Sequence, residues 1–422
     1  MKKTLFIILF ILIHIFILRN IYYLSRDIVL GDESAVKIFP QPQYGLTRIY
    51  ERPYSIGHEA INRLAVDFAQ VYFPSQEFSN LSKNYQSGYL DPLSRPSRYA
   101  PFVHFLCAVT ICNLDYGFAS IFHMLIQLIM FYAFFIFAFR TLHVDAHFWP
   151  GLLLANVCLF LTPAGLAWFE RGQFSLYVTI SYLLIILGLF KRNFFFIILS
   201  ALFAYIKWTS FPYIFVVIFI FLLNSKSRID LKQNILLASA FLIPILILLL
   251  LFPAKSYHFL VGLYYQERFA TPEGVSLTLM LPAGIVKVLP FLLIILGHFY
   301  VRYNQNDFDR SIPYLIGSAI VLLTYPTIAY DYSVSTLLCF IPLVLYWAEL
   351  PNIKLNQVMR EFVKYSFFLF LLLASNSIYV NWFFPKNFVD EYLFFSAILM
   401  LAPLIGNLPF KKWRTLYQSK RP

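Results

Sequence analysis

The chain has 422 residues, of which 60% are hydrophobic and 13% charged, with a formal net charge of +12. A globule of this size would lack the polar surface to stay in solution, so the composition excludes a soluble enzyme and indicates an integral membrane protein. Long unbroken apolar runs exclude a closed barrel, whose strands alternate polar and apolar residues, so the expected fold is all-α and polytopic.

The N-terminal Lys2 and Lys3 lead into an apolar run without a small-residue cleavage site, which reads as an uncleaved first span. A span needs roughly 20 apolar residues, and the chain offers about 12 such candidates. They lie at residues 4–24, 99–114, 117–140, 148–166, 173–190, 194–223, 234–253, 285–301, 312–329, 333–349, 363–383 and 389–406. The whole of 1–422 is expected to form one transmembrane domain, with no soluble domain attached.

After the first span comes the longest polar segment, residues 25–98, rich in Pro, Tyr and Phe. Connectors of this length are usually functional or disordered, and the aromatic content argues against disorder. It contains Asp67 in Val66-Asp67-Phe68-Ala69-Gln70-Val71-Tyr72, together with Glu77 and Asp91. A carboxylate held near the bilayer surface can take a proton from a hydroxyl nucleophile. The plain alternative is a solvated loop residue, and Glu77 and Asp91 compete for the role.

Arg95-Pro96-Ser97-Arg98-Tyr99-Ala100-Pro101 opens the second run and places two guanidiniums at headgroup level, where a lipid phosphate lies. Interfacial snorkelling would explain the same residues. Further on, Glu170-Arg171-Gly172-Gln173 joins the fourth and fifth runs, a pattern that a simple charged turn also satisfies. Lys207, in Tyr205-Ile206-Lys207-Trp208, lies midway along the sixth run. An intramembrane lysine is costly enough to suggest a site, the structural alternative being a break between two shorter helices. Residues 254–284 form a second polar segment, with Gln266-Glu267-Arg268, and Tyr330-Asp331-Tyr332-Ser333 interrupts the later runs. Asp331 could help to bind a sugar or an acceptor.

The cations act as topology signals rather than as a nucleic-acid surface. With the N-terminus inside, Lys226, Arg228 and Lys232, then Arg302 and Arg310, Lys354 and Arg360, and Lys411, Lys412 and Arg414 all fall on the cytoplasmic side. Segments 25–98 and 254–284 then fall outside. The exception is Lys191-Arg192, which the span count also puts outside. Cys107, Cys112, Cys158 and Cys339 form no paired motif and accompany no His ligands, so they are expected to be packing residues. His104 and His258 show no metal-ligand spacing, and no metal or other cofactor is expected. Nucleotide-binding fingerprints are absent, which disfavours a sugar-nucleotide donor.

Taken in order, the outer segment with Asp67 and Tyr72, Arg98-Tyr99-Ala100-Pro101, Gly172-Gln173 and Ile206-Lys207 resemble the polyprenyl-phosphate-mannose-dependent α-mannosyltransferases of the GT-C superfamily. The likeness extends over roughly residues 1–350, in motifs of two to five residues. It departs from the family at Tyr99-Ala100-Pro101, where a double proline is usual, and at Tyr330-Asp331-Tyr332. The resemblance implies an inverting transfer of a hexose, foremost mannose, from a polyprenyl-phosphate donor to a lipid or glycan acceptor. By that likeness Asp67 is the general base, Arg98, Lys207 and Arg95 bind the donor phosphate, and Tyr72, Tyr99, Gln173 and Asp331 contact substrate. The expected location is a bacterial inner membrane with the site on its periplasmic face. A transporter or lipid-linked-sugar flippase is the competing class, although the repeated halves typical of transporters are missing.

Overall fold

A computed structural model describes residues 2–30, 65–87, 95–225, 228–269, 273–274, 276–303, 309–326, 328–329, 331–350, 357–375 and 388–406. In chain order the described helices are α1 (Lys2–Leu30), α2 (Val66–Gln76), α3 (Leu81–Ser87), α4 (Pro101–Val109), α5 (Tyr116–Thr141) and α6 (Phe148–Phe160). They continue with α7 (Pro163–Glu170), α8 (Ser175–Phe190), α9 (Phe194–Ile206), α10 (Phe211–Leu223), α11 (Arg228–Leu250) and α12 (Pro253–Phe269). The last five are α13 (Ala283–Tyr303), α14 (Ile312–Leu323), α15 (Phe340–Glu349), α16 (Gln357–Ser375) and α17 (Phe388–Gly406). The all-α expectation holds, with one small addition among the described residues: Glu273 pairs with Ile328 and Gly274 with Ala329 in a minimal parallel ladder.

Among the described residues four helical stretches are long and apolar enough to cross a membrane: Tyr116–Thr141, Ile229–Leu250, Ala283–Tyr303 and Val389–Gly406. They carry large apolar side chains on the outside of the molecule, including Ile129, Leu246, Phe291 and Phe299. Exposed apolar surface of this extent is what lipid covers. At the centre, α8 is buried from Ser175 through Leu189 and α14 from Ile312 through Leu322. Helices that are apolar all round belong in a core, and the peripheral helices enclose these two.

Several helices end on a left-handed residue that redirects the chain. After α7 the Gln173 N–H bonds the Trp168 carbonyl at 3.1 Å and the Gly172 N–H bonds that of Phe169 at 3.1 Å, with Gly172 at φ 63°. The same paired bonds, the hallmark of a Schellman cap, close α8 at Arg192 and α5 at His143.

Contacts sort the helix ends into two groups. At one end, called here the site end, the Tyr116 hydroxyl donates to the Ala65 carbonyl at 2.7 Å and the Asp67 N–H to the Arg171 carbonyl at 2.9 Å. At the opposite end His147 meets Glu349, Arg192 meets Asp230 and Gln233, and Asn234 donates to Ser225.

Two sequence expectations are corrected by this arrangement. Residues 99–114 do not make a span: α4 stops after nine residues at Val109, and a 3-10 turn Ile111–Asn113 follows it. The turn after it is tied back to α2, since Gln76 donates to the Cys112 carbonyl and Tyr72 to that of Leu114. The sixth run, 194–223, is a hairpin of two 13-residue helices that begins and ends at the opposite end, with Lys207 at its tip. Pro212 in the first turn of α10 and the 3-10 turn Trp208–Ser210 make the reversal. Lys191-Arg192 is consequently on the same side as the cationic start of α11, which removes the exception to the cation rule. Within the segment 254–284 the structure adds α12, started by Pro253 and turning Ser256, Phe259 and Gly262 inward.

The cysteine expectation also changes. Cys107 and Cys112 are joined as a disulfide, with Cα atoms 5.0 Å apart, whereas Cys158 and Cys339 are buried free thiols. The end of α4 and the 3-10 turn Ile111–Asn113 bring together two cysteines whose linear spacing carries no pairing motif.

Candidate functional site

Asp67 stands in the first turn of α2, where the unpaired N–H groups at the helix start favour negative charge. The helix begins on Ala65, which is left-handed at φ 56° and packs against Gly172, the left-handed residue ending the α7 cap. These facing turns bring residues more than 100 positions apart in sequence into register.

Only 6% of Asp67 is exposed, and every described partner of its carboxylate is a donor. Arg171 grips it with both arms of the guanidinium, Nε to Oδ2 at 2.7 Å and Nη2 to Oδ1 at 3.2 Å. Gln173 Nε2 donates to Oδ2, and Arg95 Nη1 reaches Oδ1 at 3.5 Å. Burial by itself would raise the pKa of this carboxyl. The charges of Arg171 and Arg95, with Lys207 behind them, outweigh burial and hold it below the ordinary aspartate value.

From Gln173 the network continues to the tip of the α9–α10 hairpin, where Lys207 Nζ donates to Gln173 Oε1 at 2.6 Å. Arg98 is exposed, and its charge acts on Lys207. Arg95, Arg171 and Lys207 thus act on the Asp67 carboxylate, and Arg98 acts on Lys207. Guanidiniums bind phosphate as a planar fork and an ammonium binds it as a point charge, so these groups suit an anion with several oxygens.

Behind this layer, Gln127 of α5 donates its amide to the Gln173 carbonyl at 2.7 Å and to His123 Nε2 at 2.9 Å. His123 also bonds the Gly172 backbone, and its ring stacks on Phe68 with centroids 4.7 Å apart. The hydrogen bonds therefore assign the proton of His123 to Nδ1. A second polar group fixes the arginine segment: Ser97 Oγ is 2.8 Å from His104 Nε2, and the Ser97 N–H donates to Asn84 Oδ1 at 2.9 Å.

Of the residues expected from sequence, Asp67, Arg95, Gln173 and Lys207 meet directly, and Arg98 joins them through its field. Tyr99 is buried against Phe174, ring centroids 4.4 Å apart, just behind Gln173. Tyr72 points elsewhere and ties α2 to Leu114. The backbone of Asp331 begins the 3-10 segment Asp331–Cys339, which Ser335 fastens to Ser175 at 2.8 Å, two residues after Gln173. The side chain of Asp331 lies outside the described residues, as do Asp91 and the side chains of Glu170, Gln266, Glu267 and Arg268. Glu77 is exposed beyond the far end of α2, where Asn80 bonds it at 3.2 Å.

Sequence reasoning passed over Arg171, treating it as part of a turn, and did not single out His123 or Gln127. The signal for the last two was present. They are polar residues one helical turn apart inside an otherwise apolar span, where a polar side chain requires a partner. Among the described residues no three His, Cys, Asp or Glu side chains are grouped to hold a metal ion. No family model, characterised protein or solved structure matches the chain.

Proposed function

We propose that the chain is a membrane glycosyltransferase that moves a hexose, foremost mannose, from a polyprenyl-phosphate donor to a lipid or glycan acceptor. The observation that carries the reading is that Arg95 and Arg171 contact the Asp67 carboxylate while Gln173 links it to Lys207, on which the charge of Arg98 acts. Negative charge grows on the phosphate oxygen as the glycosidic bond breaks, and fixed cations in a partly desolvated site stabilise that charge strongly. Asp67 is ionised and buried, and in this reading its carboxylate accepts the proton of an attacking hydroxyl. Of its two oxygens Oδ1 has the longer contacts, at 3.2 and 3.5 Å, and is the one that a hydroxyl reaches by displacing Arg95 toward the phosphate. Inversion follows if the acceptor attacks from the face opposite the phosphate.

In this reading the site end faces outward, at the periplasmic side of a bacterial inner membrane. Two independent features support the orientation. Cations gather at the opposite end, including Arg192 once the hairpin is recognised, and the Cys107–Cys112 disulfide at the site end suits an oxidising compartment. The short α4 removes one crossing and the hairpin adds one, so about 12 crossings remain the proposed total.

The test is sugar transfer by purified protein from a polyprenyl-phosphate mannose donor. General-base assistance is worth about 10²- to 10⁴-fold, so Asp67→Asn should lose at least that much turnover while donor still raises its melting temperature. Glu77→Gln should transfer at the parental rate. Parental turnover by Asp67→Asn would remove Asp67 from the role.

A further inference from the structure

We propose that Gln173 is a positioning residue that keeps Lys207 from closing onto Asp67, leaving the ammonium free to bind an anion. The inference rests on the reading that Lys207 receives the donor phosphate, and adds to it a residue that acts through others. Its amide is used at both ends: Nε2 donates to Asp67 Oδ2, and Oε1 accepts from Lys207 Nζ at 2.6 Å. A primary amide presents one donor and one acceptor group to opposite neighbours, which neither a carboxylate nor an ammonium can do.

The backbone of Gln173 is immobilised to the same end. Its N–H closes the α7 cap on Trp168 at 3.1 Å, and its carbonyl is held by Gln127 at 2.7 Å. Gly172 precedes it in the left-handed conformation, and Phe174 follows it packed on Tyr99 and His123. Such support is greater than a peripheral substrate contact would need.

The physical reason for a spacer is the low polarity of the site. Opposite charges attract several-fold more strongly there than in water, and the four-carbon stem of lysine is flexible enough to follow that attraction. Among the described residues no carboxylate is within ion-pair distance of Lys207, and its one described hydrogen bond is to Gln173. Two of its three N–H donors are left for an anion. Were the amide absent, Lys207 would be drawn onto Asp67, and its ammonium would no longer be open to an anion.

The experiment measures binding of farnesyl phosphate, a short polyprenyl monophosphate, to the full chain purified in detergent, by titration and by thermal stabilisation. Lys207→Met should weaken binding. Gln173→Ala should weaken it by at least about tenfold, the worth of one charge-assisted hydrogen bond. Gln173→Asn, whose amide is one methylene too short to span both partners, should act in the same direction. The decisive result is recovery: adding Asp67→Asn to either Gln173 variant removes the charge that captures Lys207, and affinity should return toward the parental value. Parental binding by Gln173→Ala, or a folded double variant that stays weak, overturns the role of Gln173 while a weakened Lys207→Met leaves the donor site standing. Unchanged binding by Lys207→Met overturns both.

Discussion

Arg171 sets the chemistry of Asp67 more than any other side chain does. Its paired contacts at 2.7 and 3.2 Å keep a buried carboxylate ionised that burial would otherwise push toward the neutral acid. The sign follows for stability. Because the folded pKa is depressed below the unfolded value of about 3.9, Asp67 contributes stability at pH values above the unfolded pKa. That contribution is lost as pH falls through the folded value, so the parental protein should show no change traceable to Asp67 between neutral pH and mildly acidic pH. In Arg171→Met burial is opposed only by Arg95, Lys207 and the Gln173 amide, and the pKa rises. The acid limb of transfer should move to higher pH in this variant, and a pH–rate profile measured beside the parent would read the shift. A limb that stays in place would mean that Asp67 is not the group titrating.

At the scale of single elements, two left-handed turns and one hairpin form the site. A Cβ placed on Gly172 would lie 3.0 Å from the Phe68 Cβ and 3.2 Å from the Ala65 Cβ, at a φ of 63° that L-residues resist. Gly172→Ala should therefore destabilise by about 1–2 kcal/mol from the backbone alone, and more from the contact. It should also depress transfer, because Arg171 and Gln173 flank the turn. Gly284→Ala, whose Cβ meets nothing within 4 Å, is the control and should melt within about 1 kcal/mol of the parent. Equal melting of the two variants would show that the turn tolerates a side chain. The α9–α10 hairpin makes a separate claim. Thr209 is exposed at its tip, so Thr209→Cys in a cysteine-free chain should react with an impermeant maleimide from the periplasmic side. A continuous sixth span would bury that residue in the bilayer and protect it.

For the molecule as a whole, an apolar centre of α8 and α14 is surrounded by helices whose outer surfaces are themselves apolar, with polar networks gathered toward the ends. That distribution suits a lipid environment and makes orientation a property of the complete chain. Ser79, exposed just beyond α2, should be labelled as Ser79→Cys from the same side as Thr209→Cys, and Ser227→Cys only after the membrane is opened. The Cys107–Cys112 bridge gives a check that needs no substitution. In membranes isolated under alkylating conditions these two thiols should resist modification until a reductant is added, whereas immediate alkylation of both would contradict the assigned face.

The amino-acid sequence by itself determined the class and most of the helix positions, because lipid imposes a length and a composition that can be read locally. It also singled out Asp67, Arg95, Arg98, Gln173 and Lys207, each polar residue being unusual where it stands. What it did not contain was distance. Residues 99–114 are apolar enough to resemble a span, and only their ties to α2 show a short helix folded back. The 194–223 run has the length for one long span, and only the bonds of Arg192 to Asp230 and Gln233, with that of Asn234 to Ser225, show that it returns to the face it left. Likewise Arg171 is an ordinary turn residue until the α7 cap swings it onto a carboxylate 104 positions earlier. Periodicity and hydropathy record what each segment needs from its surroundings. Which cation meets which carboxylate depends on the packing of helices remote in sequence, and the tertiary structure alone decided it.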